Sequence, residues 1–311
     1  MTGTVVVTGA TGFIGVAMIA ALREHGHGVI ALVRDVDRAR GKLGDGVELV
    51  AADLETPGPW QARLGGAIAI VHLAGEPIGD KRWDARQKQV IRDSRVEATR
   101  VVVEGIAALA ASERPRVLVS VSGVDYYPAA PPGDYDDDEV AESDPPADTF
   151  LGRVCRDWER EAAAAEPLGV RVLRPRLGIV LGPGGGALDR MKQAFKLHAG
   201  GKLGSGQQWV SWIHRDDVVG IVLAALDDAT YSGPVNAVAP ETVRNAQLAK
   251  SLGLALHKRS WLPAPKFALK LALGEFADAV LTGRRVVPKK LAQLGYAWKH
   301  PTLAEALVDC V

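Results

Sequence analysis

Residues 8–15 read TGATGFIG, and this stretch decides the fold of the 311-residue chain. A run of β-branched residues precedes it and predicts a strand, while apolar residues at helical spacing follow it and predict a helix. In such a unit the glycines allow a sharp turn, a close approach of the backbone to a pyrophosphate, and tight packing of the helix on the sheet. The helix N-terminus then offers N–H groups to phosphate. The pattern predicts a dinucleotide site whose contacts are Gly9, Thr11, Gly12, Phe13, Ile14 and Gly15.

The second predicted strand, residues 29–33, indicates which dinucleotide binds. NAD sites place a carboxylate near the end of this strand for the ribose hydroxyls, whereas a 2′-phosphate favours an arginine. Here the strand ends with Val33, and Arg34 follows it with a planar fork suited to phosphate. The alternative is a solvated arginine paired with Asp35 or Asp37. We favour NADP(H) as the cofactor.

Composition and charge exclude several classes of protein. Apolar residues make up 47% of the chain and charged residues 24%, which is sufficient for one large or two interleaved cores. The formal net charge is zero, so nucleic-acid and membrane partners are not expected. Neither a targeting segment nor an apolar run of membrane-spanning length stands out. Cys155 and Cys310 are far apart, which suggests reduced thiols and a cytoplasmic protein. A monomer or homodimer acting on a small molecule is expected.

Strand and helix patterns alternate through the first half of the chain. Further strands are predicted at residues 47–51, 68–71, 117–122, 170–181 and 209–214, and one long helix at residues 84–111. This alternation calls for a Rossmann-type doubly wound parallel sheet with helices on both faces. The prediction places a dinucleotide-binding domain at 1–180, with strand and helix returns near 209–257. A smaller, interleaved substrate or lid domain is predicted at 181–208 and 258–311.

Residues at the ends of later strands extend the predicted cofactor site. Asp53 and Leu54 close the third strand, where a carboxylate commonly meets the adenine. The small residues after the fourth strand suit a backbone lying against the ribose and diphosphate. The further predicted cofactor contacts are Leu73, Ala74, Gly75, Arg95, Ser120 and Pro175.

The pattern lapses between residues 123 and 148. This loop carries five prolines and the acidic run DYDDDE at residues 134–139. Acidic runs are usually solvated, and the loop contains neither histidine nor cysteine, so no metal site is predicted. A loop of this length is typical of a mobile flap over an active site.

The chain resembles the YfcH-like epimerase-family proteins, an atypical branch of the extended short-chain dehydrogenase/reductase superfamily. The resemblance spans essentially the whole chain and rests on the glycine motif and on residues 72–78, 81–83, 93–96, 154–159, 185–188, 211–217, 273–275 and 283–288. It implies an NADP-binding fold whose reaction is generally undefined. Relatives in cyanobacteria and plastids are linked to cell division, which leaves a regulatory role open. One departure is DYYP at residues 125–128, where relatives tend to have GYYG.

The resemblance also shows what is missing. Catalysis in the superfamily uses a tyrosine acid/base and a lysine four residues later that lowers the tyrosine pKa. These roles fall on Leu151 and Cys155, and neither side chain can perform them. The superfamily asparagine falls on Arg95, and Ser122 alone keeps its place.

Other polar residues near the expected nicotinamide offer a replacement. An arginine beside a tyrosine would favour the phenolate, in part replacing the charge of the lysine. The predicted catalytic residues are Ser122, Tyr126, Glu76 and Arg95, and the predicted substrate contacts are Lys81, Trp83, Tyr127 and His214. Capping, packing or phosphate contacts remain the alternatives for each. Two functions therefore stand: an NADP-dependent oxidoreductase or epimerase acting on a small substrate, with nucleotide sugars among the candidates, and a catalytically silent NADP-binding regulatory protein.

Overall fold

A parallel sheet forms the centre of the computed structural model, which describes residues 2–130, 135 and 137–311. Within these residues the strands are β1 (Thr4–Thr8), β2 (Gly28–Val33), β3 (Glu48–Ala51), β4 (Ala69–His72), β5 (Val117–Ser120), β6 (Ser122–Gly123), β7 (Glu139–Val140), β8 (Arg171–Leu177), β9 (Ile179–Leu181), β10 (Trp209–Val210), β11 (Trp212–His214), β12 (Gly233–Ala237), β13 (Val243–Arg244) and β14 (Arg285–Val286). The α-helices are α1 (Phe13–Glu24), α2 (Val36–Leu43), α3 (Ala85–Asp93), α4 (Val96–Ala108), α5 (Phe150–Ala163), α6 (Gly186–Lys196), α7 (Arg215–Asp227), α8 (Asn245–Ala255), α9 (Lys266–Leu273), α10 (Phe276–Leu281), α11 (Lys289–Gln293) and α12 (Leu303–Cys310).

The main sheet has the strand order β3-β2-β1-β4-β5-β8-β12, and every pair along it is parallel. The order reverses between β1 and β4, and open α/β sheets bind ligands at such a switch point, outside the carboxyl ends of the strands. The predicted Rossmann-type fold is therefore confirmed, and the sheet itself points to the edge where a ligand binds.

Strand β1 shows why both faces of the sheet are covered. Val5, Val6 and Val7 are fully buried, and successive side chains of a strand point to opposite faces. Val5 and Val7 belong to a core that includes α1 and α7, while Val6 belongs to a second core that includes α4 and the end of α5. An uninterrupted apolar run is thus expected for a parallel strand buried on both faces.

Four predicted elements are interrupted in the structure. The strand predicted at 170–181 breaks at Gly178 into β8 and β9. The helix predicted at residues 84–111 is two helices, α3 and α4, with a break at Ser94 and Arg95. The strand predicted at 117–122 breaks at Val121, beside Pro175 of β8, which has no N–H to donate to a ladder. The strand predicted at 209–214 breaks at Ser211, whose hydroxyl donates to the carbonyl oxygen of Arg284 (3.1 Å).

A buried carboxylate on α7 binds the C-terminal segment. Asp217, on α7, accepts hydrogen bonds from the backbone N–H of Lys299 (2.6 Å) and of His300 (3.1 Å). The same carboxylate accepts from the hydroxyl of Tyr296 (3.3 Å). Strand β12 joins the region 209–257 to the main sheet. The limits of the two predicted domains stay a prediction.

Part of the predicted flap is folded. Residues 139–140 of this loop form β7, which pairs in parallel with β14. Residues 131–134 and 136, which include Asp134 and Asp136 of the acidic run, lie outside the described residues. Across the described part of the chain, no helix is both long enough and apolar enough to cross a membrane.

Candidate functional site

The glycine turn between β1 and α1 leaves room for a phosphate. Gly9 has a positive φ of 64°, and a Cβ on Gly15 would lie 2.2 Å from the carbonyl oxygen of Gly9. Helix α1 begins after Gly12, which supplies no side-chain cap, so its first N–H groups keep their hydrogen-bonding capacity. Such donors and the positive end of the helix dipole suit an anion. The turn therefore fits the diphosphate of a dinucleotide.

A buried hydrogen-bond chain holds the neighbouring loop in place. Thr99 donates to the carbonyl oxygen of Arg95 (2.6 Å), so its Oγ1 accepts the Nε2 proton of His72 (3.0 Å). Nδ1 of His72 then accepts from the Thr8 hydroxyl (2.8 Å), whose oxygen accepts the N–H groups of Leu73 and Ala74 (3.2 Å each). Burial lowers the pKa of His72 to about 4, so the ring is neutral at pH 7. These hydrogen bonds join β1, β4 and α4 at the switch point.

Arg95 lies under the backbone that follows β4. Its Nη1 donates to the carbonyl oxygens of Glu76 (2.9 Å) and Ile91 (3.1 Å). A Cβ on Gly75 would lie 3.1 Å from the guanidinium carbon, so a larger residue would crowd this cation. The guanidinium also lies 5.4 Å from the ring centre of Trp158. The break between α3 and α4 turns Arg95 toward this loop and places a positive charge there.

An arginine follows β2, and its guanidinium forms no ion pair with the rest of the described structure. Arg34 is exposed and makes no ion pair within the described residues. The carboxylate of Asp35 caps α2 by accepting from the N–H of Arg38 (2.9 Å), so it is not the partner of Arg34. Lys42, at the end of α2, donates to the carbonyl oxygen of Thr11 (3.3 Å). Two cations therefore border the glycine turn.

The remaining predicted cofactor contacts occupy varied surroundings. Asp53 is exposed but accepts from the N–H of Glu55 (3.1 Å) and the hydroxyl of Thr56 (3.2 Å), and Leu54 packs against the core beside it. The Phe13 ring lies against the loop at residues 182–186. Ser120 is buried, and its Oγ has no hydrogen-bond partner within the described residues.

A polar cluster occupies the carboxyl edge beyond β5 and β6. Asp125 and Cys155 lie at 3.5 and 3.8 Å from the position that a Cβ on Gly123 would take. Burial raises the pKa of Asp125, and the nearby charge of Arg95 opposes that rise. Burial and the negative charge of Asp125 raise the pKa of the Cys155 thiol to about 12. The Ser122 hydroxyl lies beside this thiol without a well-formed hydrogen bond in the described part of the chain.

Tyr126 and Tyr127 point in different directions. The buried Tyr127 hydroxyl donates to Oδ1 of Asn236 (2.6 Å) and accepts from Nη1 of Arg176 (2.6 Å). Arg176 also forms a two-pronged ion pair with Glu159, at 2.8 and 2.9 Å. Its guanidinium stacks on the half-buried ring of Tyr126, 3.5 Å from the ring centre. Both rings pack against one apolar cluster, but the Tyr126 hydroxyl, unlike that of Tyr127, makes no hydrogen bond within the described residues.

A histidine pair ties the start of α7 to α12. Nδ1 of His214 accepts from the N–H of Asp216 (3.2 Å), so the ring carries its proton on Nε2, 3.2 Å from Oδ2 of Asp309. The rings of His214 and His300 are 3.9 Å apart. One ligand atom from each of these four residues lies within 4.8 Å of the others, a spacing that a metal can bridge. Nδ1 of His214 already accepts a hydrogen bond and Lys299 pairs with Asp216 (2.5 Å), whereas Nε2 of His214 and of His300 has no hydrogen-bond partner within the described residues.

Two family models match the chain. One describes a domain of unknown function (DUF1731) and covers residues 264–310. The other describes the NAD dependent epimerase/dehydratase family and covers residues 5–237, which is most of the chain. The chain belongs to the NAD dependent epimerase/dehydratase family.

Relatives of this epimerase-family chain match it over almost its full length. An epimerase family protein SDR39U1 homolog, chloroplastic, from Arabidopsis thaliana is 41% identical over 98% of this chain and 85% of its own length. An epimerase family protein from Mycobacterium leprae is 34% identical over 97% of this chain and 94% of its own. The crystal structure of human epimerase family protein SDR39U1 with NADPH superposes with a TM-score of 0.83, at 31% identity and 98% coverage of both chains. The predicted superfamily is confirmed, and the YfcH-like subgroup stays a prediction.

Two predicted substrate contacts in this epimerase-family chain, Trp83 and Tyr127, are buried in the structure. Trp83 packs with Ile91 and Leu151, and its N–H donates to the carbonyl oxygen of Ile78 (2.7 Å). The Tyr127 hydroxyl is buried and engaged inside the protein, whereas Nε2 of the buried His214 has no hydrogen-bond partner within the described residues. These placements do not support a substrate role for Trp83 or Tyr127, and the role of His214 stays a prediction.

The other predicted site residues keep their places at the carboxyl edge. Lys81 is exposed and pairs with Oε1 of Glu76 (3.1 Å), close to Arg95. Pro175 is buried inside β8, so its predicted cofactor contact is not supported by this placement. The roles of Glu76, Lys81, Arg95, Ser122 and Tyr126 stay predictions.

Two residues of the site were missed in the sequence. Asp125 was visible as a departure from the family pattern, but its burial beside Arg95 depends on how β6 and α5 meet. Lys42 carries no local signal, because its proximity to Thr11 arises only when α2 folds back on the glycine turn.

Proposed function

We propose that this chain binds NADP(H) and acts as an oxidoreductase or epimerase on a small substrate, with nucleotide sugars as the first class to test. One observation supports this above all others: an intact phosphate-binding turn lies at the same sheet edge as Arg95, Asp125 and Ser122. Ligands of open α/β sheets bind across that edge. A related structure contains NADPH, which supports the same cofactor here.

The preference for NADP(H) follows from charge at the end of β2. Val33 offers no carboxylate to the ribose hydroxyls, and Arg34 is exposed while Asp35 is used as a helix cap. Lys42 adds a second cation beside the glycine turn. A guanidinium can hold a phosphate through two parallel hydrogen bonds, which favours the phosphorylated cofactor.

The chain itself would supply binding, charge and a proton site. The start of α1 would hold the diphosphate, and the backbone at Gly75, which rests on Arg95, would border the cofactor. When bound, the cofactor supplies hydride transfer at the nicotinamide. Arg95 would stabilise negative charge on the substrate oxygen, and Tyr126 or Asp125 would give or accept the proton.

Cofactor titration followed by fluorescence tests the first half of the proposal. We expect Arg34→Ala to weaken NADPH binding by about 10- to 100-fold and to leave NADH binding unchanged, because one charge-assisted contact contributes roughly 1.5–3 kcal/mol. Arg38→Ala is the matched control, because Arg38 is also exposed and contributes only its backbone N–H to the cap. Equal affinities for the two cofactors would refute the assignment.

Turnover with a panel of nucleotide sugars tests the second half. For any substrate that reacts, Tyr126→Phe or Asp125→Asn should lower turnover by roughly 10²- to 10⁴-fold, the usual contribution of an acid/base, with little change in NADPH affinity. Tyr135→Phe is the control, because that hydroxyl contacts Ser205. If neither substitution affects turnover, the acid/base lies elsewhere.

A catalytically silent, regulatory NADP-binding protein is the second candidate. Leu151, at the superfamily tyrosine position, is covered by Trp83, which packs against Phe276 of α10 at 5.4 Å between ring centres. This apolar cover closes the place where the usual acid/base would act. The same protein should then bind NADPH, convert no substrate of the panel, and retain a protein partner only when NADPH is present.

A further inference from the structure

The zero net charge of the chain conceals a strongly basic segment. Residues 242–274 contain no aspartate or glutamate, and they include Arg244, Lys250, Lys258, Arg259, Lys266 and Lys270. Acidic residues elsewhere balance these charges in the total but do not lie in this segment. The expectation of no membrane partner rests on the net charge of the whole chain, so it does not apply to the surface of this segment.

The same region exposes large apolar side chains. Helix α9 has no buried residue at all. The exposed fractions reach 65–79% for Leu197, Leu254, Trp261, Phe267 and Leu271. Single exposed apolar residues are ordinary, but a group of this size marks an interaction surface.

Backbone hydrogen bonds bring the segments that carry these side chains next to one another. The N–H of Leu262 donates to the carbonyl oxygen of Gly200 (3.4 Å), just beyond the end of α6. The N–H of Ala264 donates to Lys202 (2.9 Å), and that of Lys258 donates to Gly253 on α8 (2.8 Å). We define the basic apolar face as the surface formed by Leu197, Leu254, Trp261, Leu262, Phe267, Leu271, Lys258, Arg259 and Lys266.

The cations of the basic apolar face remain available to an outside partner. Lys258, Arg259 and Lys266 are exposed and form no ion pair within the described ranges 2–130, 135 and 137–311. The first two acidic residues after this segment in the sequence are already paired. Glu275 pairs with Lys88, and Asp278 pairs with Lys270 (3.2 Å). Residues 242–274 therefore supply no negative charge to the face, and its three cations have no ion-pair partner in the described part of the chain.

We propose that the basic apolar face binds the surface of an anionic lipid bilayer. Aromatic and aliphatic residues flanked by lysine and arginine are typical of segments that lie in the interface of a membrane. Trp261, Phe267 and Leu271 would enter the headgroup boundary, while the cations contact lipid phosphates. A protein partner fits less well, because the cores of protein interfaces are depleted in lysine.

The length of α9 permits attachment to a membrane surface but not a crossing of the bilayer. Helix α9 has eight residues, so its length is about 12 Å at 1.5 Å per residue. A bilayer core is about 30 Å thick, so α9 would lie in the plane of the surface. Phe267 and Leu271 are four residues apart and therefore share one side of the helix.

Vesicle flotation of the full chain tests the proposal. We expect it to float with vesicles of phosphatidylcholine containing about 30% phosphatidylglycerol and not with phosphatidylcholine alone, with loss of binding at high salt. Joint replacement Lys258→Gln and Arg259→Gln should lower partitioning about 20-fold or more, at roughly fivefold per cation. Phe267→Ser with Leu271→Ser should lower it by a similar factor.

Val308→Ser is the matched control, because Val308 is equally exposed, at 78%, but lies on α12. It should float like the parent, and circular dichroism of each variant reports whether the fold is intact. Absence of flotation from anionic vesicles, or flotation insensitive to both pairs of substitutions, would overturn the proposal. So would a dimer in light scattering that the Phe267 and Leu271 substitutions abolish, because the face would then belong to a second copy. None of these outcomes depends on the proposed reaction.

Discussion

The two halves of the candidate site differ in what holds them together. The half between β1 and α1 consists of backbone, with glycines at the points of closest approach. The half beyond β6 consists of side chains, among which Leu151 and Cys155 replace the superfamily tyrosine and lysine. The comparison teaches that a phosphate site made of main chain has few alternative sequences. A proton site made of side chains can be replaced or lost while the fold persists.

The largest effect is expected in the backbone half. Gly15→Ala should abolish NADPH binding, because the new Cβ would meet the carbonyl oxygens of Gly9 and Ala10 at 2.2 and 2.7 Å and displace the turn. Gly41→Ala is the control, since a Cβ there meets nothing within 4 Å. Fluorescence titration measures both. Binding by Gly15→Ala at the parent's affinity would show that the turn is more adaptable than the comparison implies.

Substitution of a buried charge in the side-chain half should lower the free energy of unfolding. Glu159→Gln leaves the buried Arg176 without its charged partner, and removal of one partner of a buried pair costs about 3–5 kcal/mol. Glu104→Gln should cost about 1 kcal/mol or less, because Glu104 forms an exposed pair with Arg100. Urea unfolding compares the two free energies. Similar values would mean that the Arg176 network contributes little to this half.

A pH dependence should come from the junction of the two halves. The pKa of His72 is about 4 in the folded chain and 6.5 in the unfolded chain, so the unfolded state binds more protons between these values. Stability should therefore fall as pH decreases from 6.5 to 4, by roughly 3 kcal/mol. His72→Gln should flatten this part of the curve. The exposed His257→Gln should not, and equal slopes in the parent and His72→Gln would exclude His72 as the cause.

The smallest effect is expected at the superfamily lysine position. Cys155→Ala should keep NADPH affinity, and any turnover found, within a few-fold of the parent, because burial keeps the thiol protonated and therefore unreactive. Steady-state kinetics and cofactor titration give the answer. A thousand-fold loss of turnover in a folded variant would identify the thiol as part of the chemistry.

Local patterns were sufficient for the fold and for the phosphate-binding turn. Strand β1 and the glycines that follow it are encoded within the first fifteen residues, because the spacing of apolar residues and the need for glycine act over a few positions. The same holds for Arg34, which comes directly after a strand. The absence of a Tyr-x-x-x-Lys pair was equally visible.

Tertiary structure alone decided which polar side chains remain available. Tyr126 and Tyr127 are neighbours, yet Arg176 and Asn236 draw the hydroxyl of Tyr127 into the core. At the break before Arg95, the Ser94 hydroxyl accepts the N–H of Glu76 from a distant loop (3.0 Å). Composition averages charge over the chain, whereas folding gathers the basic apolar face on one side. Burial, pairing and proximity are properties of contacts distant in sequence, so no local pattern contains them.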